Sequence, residues 1–293
     1  SNTQSEELGR QLGVIQTTIN SPFGYGESLT AFGLARPTIK GMKGTGNSVT
    51  IRGGGLSFLY PLGDDGLKTS LSYSESMTRP GGDIVSLGIE SNMKSGSFGI
   101  TYPLILRKDL SWILRGNISW IDELQQTNTT GEDQILSHDR LTSLRIGLSF
   151  YGCPLGCIYF DSELSRGLDI ASRSASEAID IPLSRTSGTS QYHHFRVNSS
   201  YSFNVFTNYL MKIGFGGQYT NDALLNSEQS TVVGMDRVSA LTSGAISGDK
   251  IWYVRGELNR NFSLLNNSSI TPYVYSAMGV AYLNAPTSAE NKE

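Results

Sequence analysis

Cysteine, histidine, surplus charge and long apolar runs are all scarce in this chain of 293 residues, and each scarcity excludes something. Two cysteines cannot build a disulfide scaffold or a cysteine-rich zinc module. Three histidines are few, and His193 and His194 are adjacent, so on a strand they face opposite ways and give no metal site. No nucleophile–base–acid set stands out, so neither an enzymatic activity nor a cofactor is expected. The 23 basic and 26 acidic side chains leave a net charge of −3, without the basic footprint that nucleic acid requires. No run of about 18 apolar residues is present to form a membrane-spanning helix. The opening SNTQSEELGR lacks the basic region and apolar core of a secretory leader.

Glycine is plentiful instead, with 33 residues and no three-residue period, and aromatics reach 10%. The first excludes collagen and the second argues against disorder. What remains is an all-β chain. Period-two alternation recurs from end to end. Between Asp109 and Ile121 the even positions carry Leu110, Trp112, Leu114, Ile118 and Trp120, and the odd ones Ser111, Arg115, Asn117 and Ser119. Segments 66–77, 191–204 and 207–219 behave alike. About twelve strands are expected, over 9–19, 27–37, 49–60, 66–77, 94–104, 109–121, 139–152, 155–166, 191–204, 206–219, 248–261 and 268–282. Several exceed the usual soluble strand of about 5–6 residues and match the roughly 9–11 tilted residues that cross a bilayer.

The connections alternate short and long. Short ones are 21–26, 61–66, 106–109, 152–156, a step near Val205, and 263–267; long polar ones are 38–48, 78–93, 122–138, 167–190 and 220–247. That alternation is the pattern of an antiparallel transmembrane β-barrel of the bacterial outer membrane, with turns in the periplasm and long loops outside. Trp112 and Trp120, with Trp252, supply an aromatic girdle; the first two are separated along the strand by roughly 20 Å of height, close to the apolar band of such barrels. By parity Arg115, Arg145, Arg196, Lys212, Arg255 and Glu257 line the lumen. Cys153 and Cys157 frame a turn on the oxidising side, where a disulfide is one reading and two free thiols the other. GTGNS (44–48) and Gly53 to Gly55 lack the strand–helix context of phosphate loops; the glycine run is expected to relieve crowding.

Four stretches carry a family resemblance. SPFGYGESL (21–29), LYPLGDDGLKTSLSYSES (59–76), ITYPLILRKDLSW (100–112), and the pair NSEQSTVVG (226–234) with SGDKIWYVRGEL (247–258) resemble turn and loop motifs of the two-partner secretion (type Vb) outer-membrane transporters, the haemolysin-activator or filamentous-haemagglutinin-transporter type. The resemblance implies a 16-stranded barrel preceded by two periplasmic POTRA modules, for which this sequence offers no room. If 220–247 is the sixth extracellular loop, residues 9–19 are the second strand and 268–282 the thirteenth, so about twelve strands of sixteen are expected here, in a single barrel domain over 1–293. A complete barrel of twelve is the other reading.

The resemblance further implies that the loop is a plug, its borders marked by Ser227, Glu228, Gln229 and Gly234 at the start and Gly248 and Asp249 at the end. In the family the loop carries an Arg that pairs with an Asp on the inner wall. Here those positions are Ser239 and Ala277, so both partners are missing. Losing both halves of a buried pair is less costly than losing one. Arg237 is a candidate substitute, paired with Glu257. The function implied is a pore that passes an unfolded exoprotein from periplasm to surface, acting as a monomer among outer-membrane lipids. A passive porin-like channel or a surface-binding barrel is the alternative.

Overall fold

The structure, a computed structural model, describes residues 12–36, 51–80, 86–128, 133–174, 180–239, 246–263 and 268–287. The expected loop 38–48 with its GTGNS, parts of the other long connections, and most of 263–267 lie outside the described residues.

Twelve strands form one antiparallel sheet in which each strand pairs with its sequence neighbours. They are β1 Gly13–Asn20, β2 Ser28–Ala35, β3 Ile51–Leu62, β4 Leu67–Thr78, β5 Ile89–Leu106, β6 Leu110–Thr127, β7 Gln134–Gly152, β8 Cys157–Leu168, β9 His193–Phe206, β10 Tyr209–Tyr219, β11 Lys250–Arg260 and β12 Tyr273–Tyr282. The sheet is not closed: β1 and β12 each have one hydrogen-bonded neighbour among the described strands.

The tight connections form for local reasons. In the turn after β1, Gly24 and Gly26 take φ of +88° and +80°, where a side chain would strain the backbone. The Glu27 carboxylate closes that turn by accepting the amides of Phe23 and Tyr25. Burial pushes its pKa up, but the surrounding amides outweigh this and hold it below the ordinary carboxylate value. Between β9 and β10 only Thr207 and Asn208 intervene, and Asn208 takes the positive φ.

Two expectations about connections need correction. Residues 122–138 are not mainly loop, because β6 runs 18 residues to Thr127 and β7 runs 19 from Gln134. Polar cross-strand pairs hold this extension: on one face Asp122 accepts from His138 at 2.7 Å and Arg140 at 3.1 Å, and on the other Glu123 accepts from Ser91 at 3.0 Å. A ribbon held by polar pairs on both faces shows no apolar alternation, so its sequence reads as loop. Before β12, Ser269–Ile270 pairs with Phe262–Ser263 in a short ribbon, so β12 starts at Tyr273 rather than 268.

The two faces differ as parity demands. One exposes Leu71, Phe98, Ile118, Ile146, Leu164, Phe215, Val274 and Met278. The other is polar, with Ser72 bonded to Ser97 and Ser74 to Ser95 across strands. Against this inner face fold the segments 180–192 and 220–239. They bring the buried apolar residues with them: Leu183, Tyr192, Leu224 and Leu225 pack on Leu141, and Val232 and Val233 on Ile251. Gly53 and Gly55 are crowded, as the sequence suggests. A Cβ on Gly55 would sit 2.6 Å from the Tyr73 carbonyl and 2.8 Å from the Phe32 ring.

Candidate functional site

The six residues expected to line the lumen share the inner face and fall into three charge clusters. Arg115 on β6 donates to Ser149 and to Asp161 at 2.6 Å. Arg145 on β7 donates to Ser119 and lies 3.7 Å from Glu163. Arg196 on β9 donates to Gln218 at 2.6 Å and lies 3.9 Å from Glu163, its register partner on β8. Lys212 on β10 faces Glu257 on β11 at 3.8 Å, and Arg255 donates to the same carboxylate at 3.0 Å. Two of the acidic partners, Asp161 and Glu163, were absent from the expected lining. Both share parity with Ser165, and that alternation was the available signal.

The loop between β10 and β11 enters this face through its leading border. Glu228 ends a single 3₁₀ turn, Asn226–Glu228, and is 1% exposed. Its carboxylate accepts from Arg145 at 2.5 Å and His194 at 3.1 Å, with Arg196 at 3.6 Å. Burial alone would push this carboxyl up. The His194 hydrogen bond and the two guanidinium charges outweigh it and bring the pKa to about 2. Tyr192 stacks on His194 and donates to or accepts from Ser143 at 2.7 Å. Its phenol is pushed above its usual value, by burial first and then by the Glu228 charge.

The trailing border is a second anchor. Asp249 is fully buried and accepts from Arg185 at 2.9 Å, the Leu224 amide at 3.1 Å, Gln229 at 3.2 Å and the Asn284 amide at 2.7 Å. Arg185 also donates to the Leu224 and Asn284 carbonyls. One carboxylate thus joins the β8–β9 connection, both borders of the loop and the segment after β12. The Ser227 hydroxyl is buried beside this junction, and Gly248 pairs with Ser230. Sequence reading had no signal for Arg185 or Asn284, which lie in stretches without periodicity.

Between the anchors the loop turns at Gly234, whose amide donates to the Val238 carbonyl. Arg237 does not pair with Glu257. Its guanidinium bonds the Thr231 carbonyl and lies over the Tyr253 ring at 5.2 Å. Glu257 is already engaged by Arg255 and Lys212. The loop instead meets the wall through Arg255, which donates to the Arg237 carbonyl at 3.2 Å and the Ser239 hydroxyl at 3.0 Å. Arg255 also stacks on Tyr275 at 4.0 Å, and its register partner on β12 is Ala277. Ser239 and Ala277, the two positions where the resemblance expects a charge, therefore flank one wall arginine.

The remaining expected residues lie outside these clusters. Trp112, packed against Phe150, shares the outer face with Trp120 and Trp252. Cys153 and Cys157 are joined across the turn 153–156, with Cα atoms 4.0 Å apart.

CdiB from Escherichia coli superposes with a TM-score of 0.72 at 18% identity, over 96% of this chain and 55% of that one. CdiB from Acinetobacter baumannii gives 0.68 at 15%, over 92% and 46%. BamA from Haemophilus ducreyi lacking POTRA domains 1-3 gives 0.62 at 11%, over 92% and 55%. The likeness establishes the antiparallel β-barrel fold, and the chain spans about half the length of these structures. A search of curated proteins returns no match. The profile of the family described as haemolysin secretion/activation protein ShlB/FhaC/HecB matches residues 1–291, and the chain belongs to that family.

Proposed function

We propose that the chain is the barrel portion of an outer-membrane pore that passes an extended exoprotein to the cell surface, with the loop 220–249 as its gate. The long connections face outward and the tight turns face the periplasm. The two free sheet edges need partners in the bilayer, where unpaired N–H and C=O groups are costly, and a count of sixteen strands supplies them. No nucleotide is at hand outside the inner membrane, so folding of the passenger at the surface drives transit. A wall of paired charges keeps an unfolded chain solvated without holding it.

The observation that carries the reading is the loop itself, folded onto the inner wall and held at Glu228, Asp249 and Arg255. A passive porin-like channel is the second reading, favoured by Ser239 and Ala277. The docked loop supports the gated one. Single-channel recording of the full-length protein in a planar bilayer tests both, with and without residues 220–247. A small, flickering conductance that jumps on deletion supports the gated pore. A large steady conductance unchanged by deletion favours the passive channel, and failure to insert refutes both.

A further inference from the structure

The outer face carries a feature that transport does not use. Four outward side chains form one cross-strand row: Ile146, Leu164, Phe195 and Tyr219, each the register partner of the next across β7 to β10. The row above it, toward the long connections, reads Leu144, Arg166 and His193. These residues line a groove of about 650 Å³. At the far end the Lys250 ammonium lies over the Tyr219 ring at 5.3 Å. Trp252, two residues nearer the tight-turn end on the same strand, shares that outward face and is 41% exposed. Lys250 therefore stands one step beyond Trp252 on its strand, and Arg166 lies one row beyond Lys250 toward the long connections.

Charge decides what fits. Among the described residues neither Arg166 nor Lys250 has a carboxylate partner. The nearby Asp222 is turned to His193, accepting its amide at 2.7 Å and lying 3.8 Å from its ring. Arg166 and Lys250 are three strands apart, about 14 Å at ordinary strand spacing. One phosphate cannot bridge them, but a disaccharide with a phosphate at each end can, with its acyl chains along the apolar row below.

We propose that this patch binds a bisphosphorylated glycolipid of the surrounding leaflet through Arg166 and Lys250. The proposal rests on the outer-membrane reading above. Its test is retention of added lipid by the full-length protein in detergent, read by native mass spectrometry. The probes are a bisphosphorylated disaccharide lipid, its monophosphorylated and dephosphorylated forms, and a zwitterionic phospholipid. Preference should follow the number of phosphates and fall at high salt. R166E with K250E should lower retention at least tenfold, and the milder R166Q with K250Q several-fold, while K68E, on the inner face near a tight turn, leaves it unchanged. Equal retention of the dephosphorylated form, or no change in either double variant, overturns the proposal. Bilayer recording of the same variants separates the two readings. Normal insertion and conductance without lipid preference sinks only the glycolipid site, whereas failure of the wild type to insert sinks both.

Discussion

Removing the charge of Glu228 should open the pore. In Glu228→Gln the amide keeps the shape but leaves Arg145 and Arg196 without the carboxylate they enclose. Breaking a buried pair costs about 3–5 kcal/mol. The depressed carboxyl points the same way: a fall from 4.5 to about 2 corresponds to about 3 kcal/mol. Glu163, within 4 Å of both arginines, recovers part of the loss, so about 3 kcal/mol is the better figure. That shifts the ratio of released to docked loop about a hundredfold. Acid should do the same in the wild type. The folded pKa is depressed, so the stabilisation is full above the ordinary value of 4.5 and is lost as pH falls from there toward 2. The assay is open probability in planar bilayers, at pH 7 and through that window. Glu228→Gln should open at pH 7 and show no further opening between pH 4.5 and 2. Equal open probability for variant and wild type at pH 7, or an acid response that survives in the variant, would refute the reasoning.

Arg255→Ala should give brief openings rather than a lasting open state, because the only loop groups it releases are the Arg237 carbonyl and the Ser239 hydroxyl. Arg255→Lys should behave like it, since one ammonium cannot replace the planar fork; wild-type dwell times in either would count against this. Gly216→Val should lower the thermal transition by the equivalent of about 1–3 kcal/mol, because a Cβ there would lie 2.5 Å from the Tyr253 hydroxyl. An unchanged transition in a heat-modifiability gel would contradict the close ring packing. Replacing Cys153 and Cys157 by Ser should cost about 2 kcal/mol for so short a closed loop and leave conductance unaltered, and altered conductance would place the staple in gating.

Much of the fold was legible because a barrel strand has a simple code. Segment 109–121 gave Trp112 and Ile118 to one face and Arg115 to the other, and β6 places them so. The same parity put Lys212 and Glu257 inside, where they meet. The code fails where both faces of a ribbon are polar, as with Asp122 on one side and Glu123 on the other, so the reach of β6 and β7 was hidden. It fails again where residues far apart in sequence converge without period. Arg185 meets Asp249 across 64 residues, and nothing local in either stretch announces the other. The Ser-Glu-Gln and Ser-Gly-Asp borders were visible as motifs, but their physical role was not. Each supplies one carboxylate, and each carboxylate is buried among donors from separate elements.

The contacts along the loop are graded in strength, and the gradient sets the order of opening. Glu228 and Asp249, both at the loop's base, are within 1% of full burial and each faces at least one guanidinium. Leu224 and Leu225 beside them are fully buried against Leu141. Undocking this base would strand charges and expose core, at several kcal/mol. The tip is held differently. Arg255 gives it hydrogen bonds to one neutral carbonyl and one hydroxyl, and keeps Glu257 as its charge partner when the tip leaves. Such bonds contribute about 1–3 kcal/mol together and leave no unpaired charge behind. The tip therefore releases first and often while the base stays fixed, which makes Glu228 and Asp249 the hinge and Arg255 the latch.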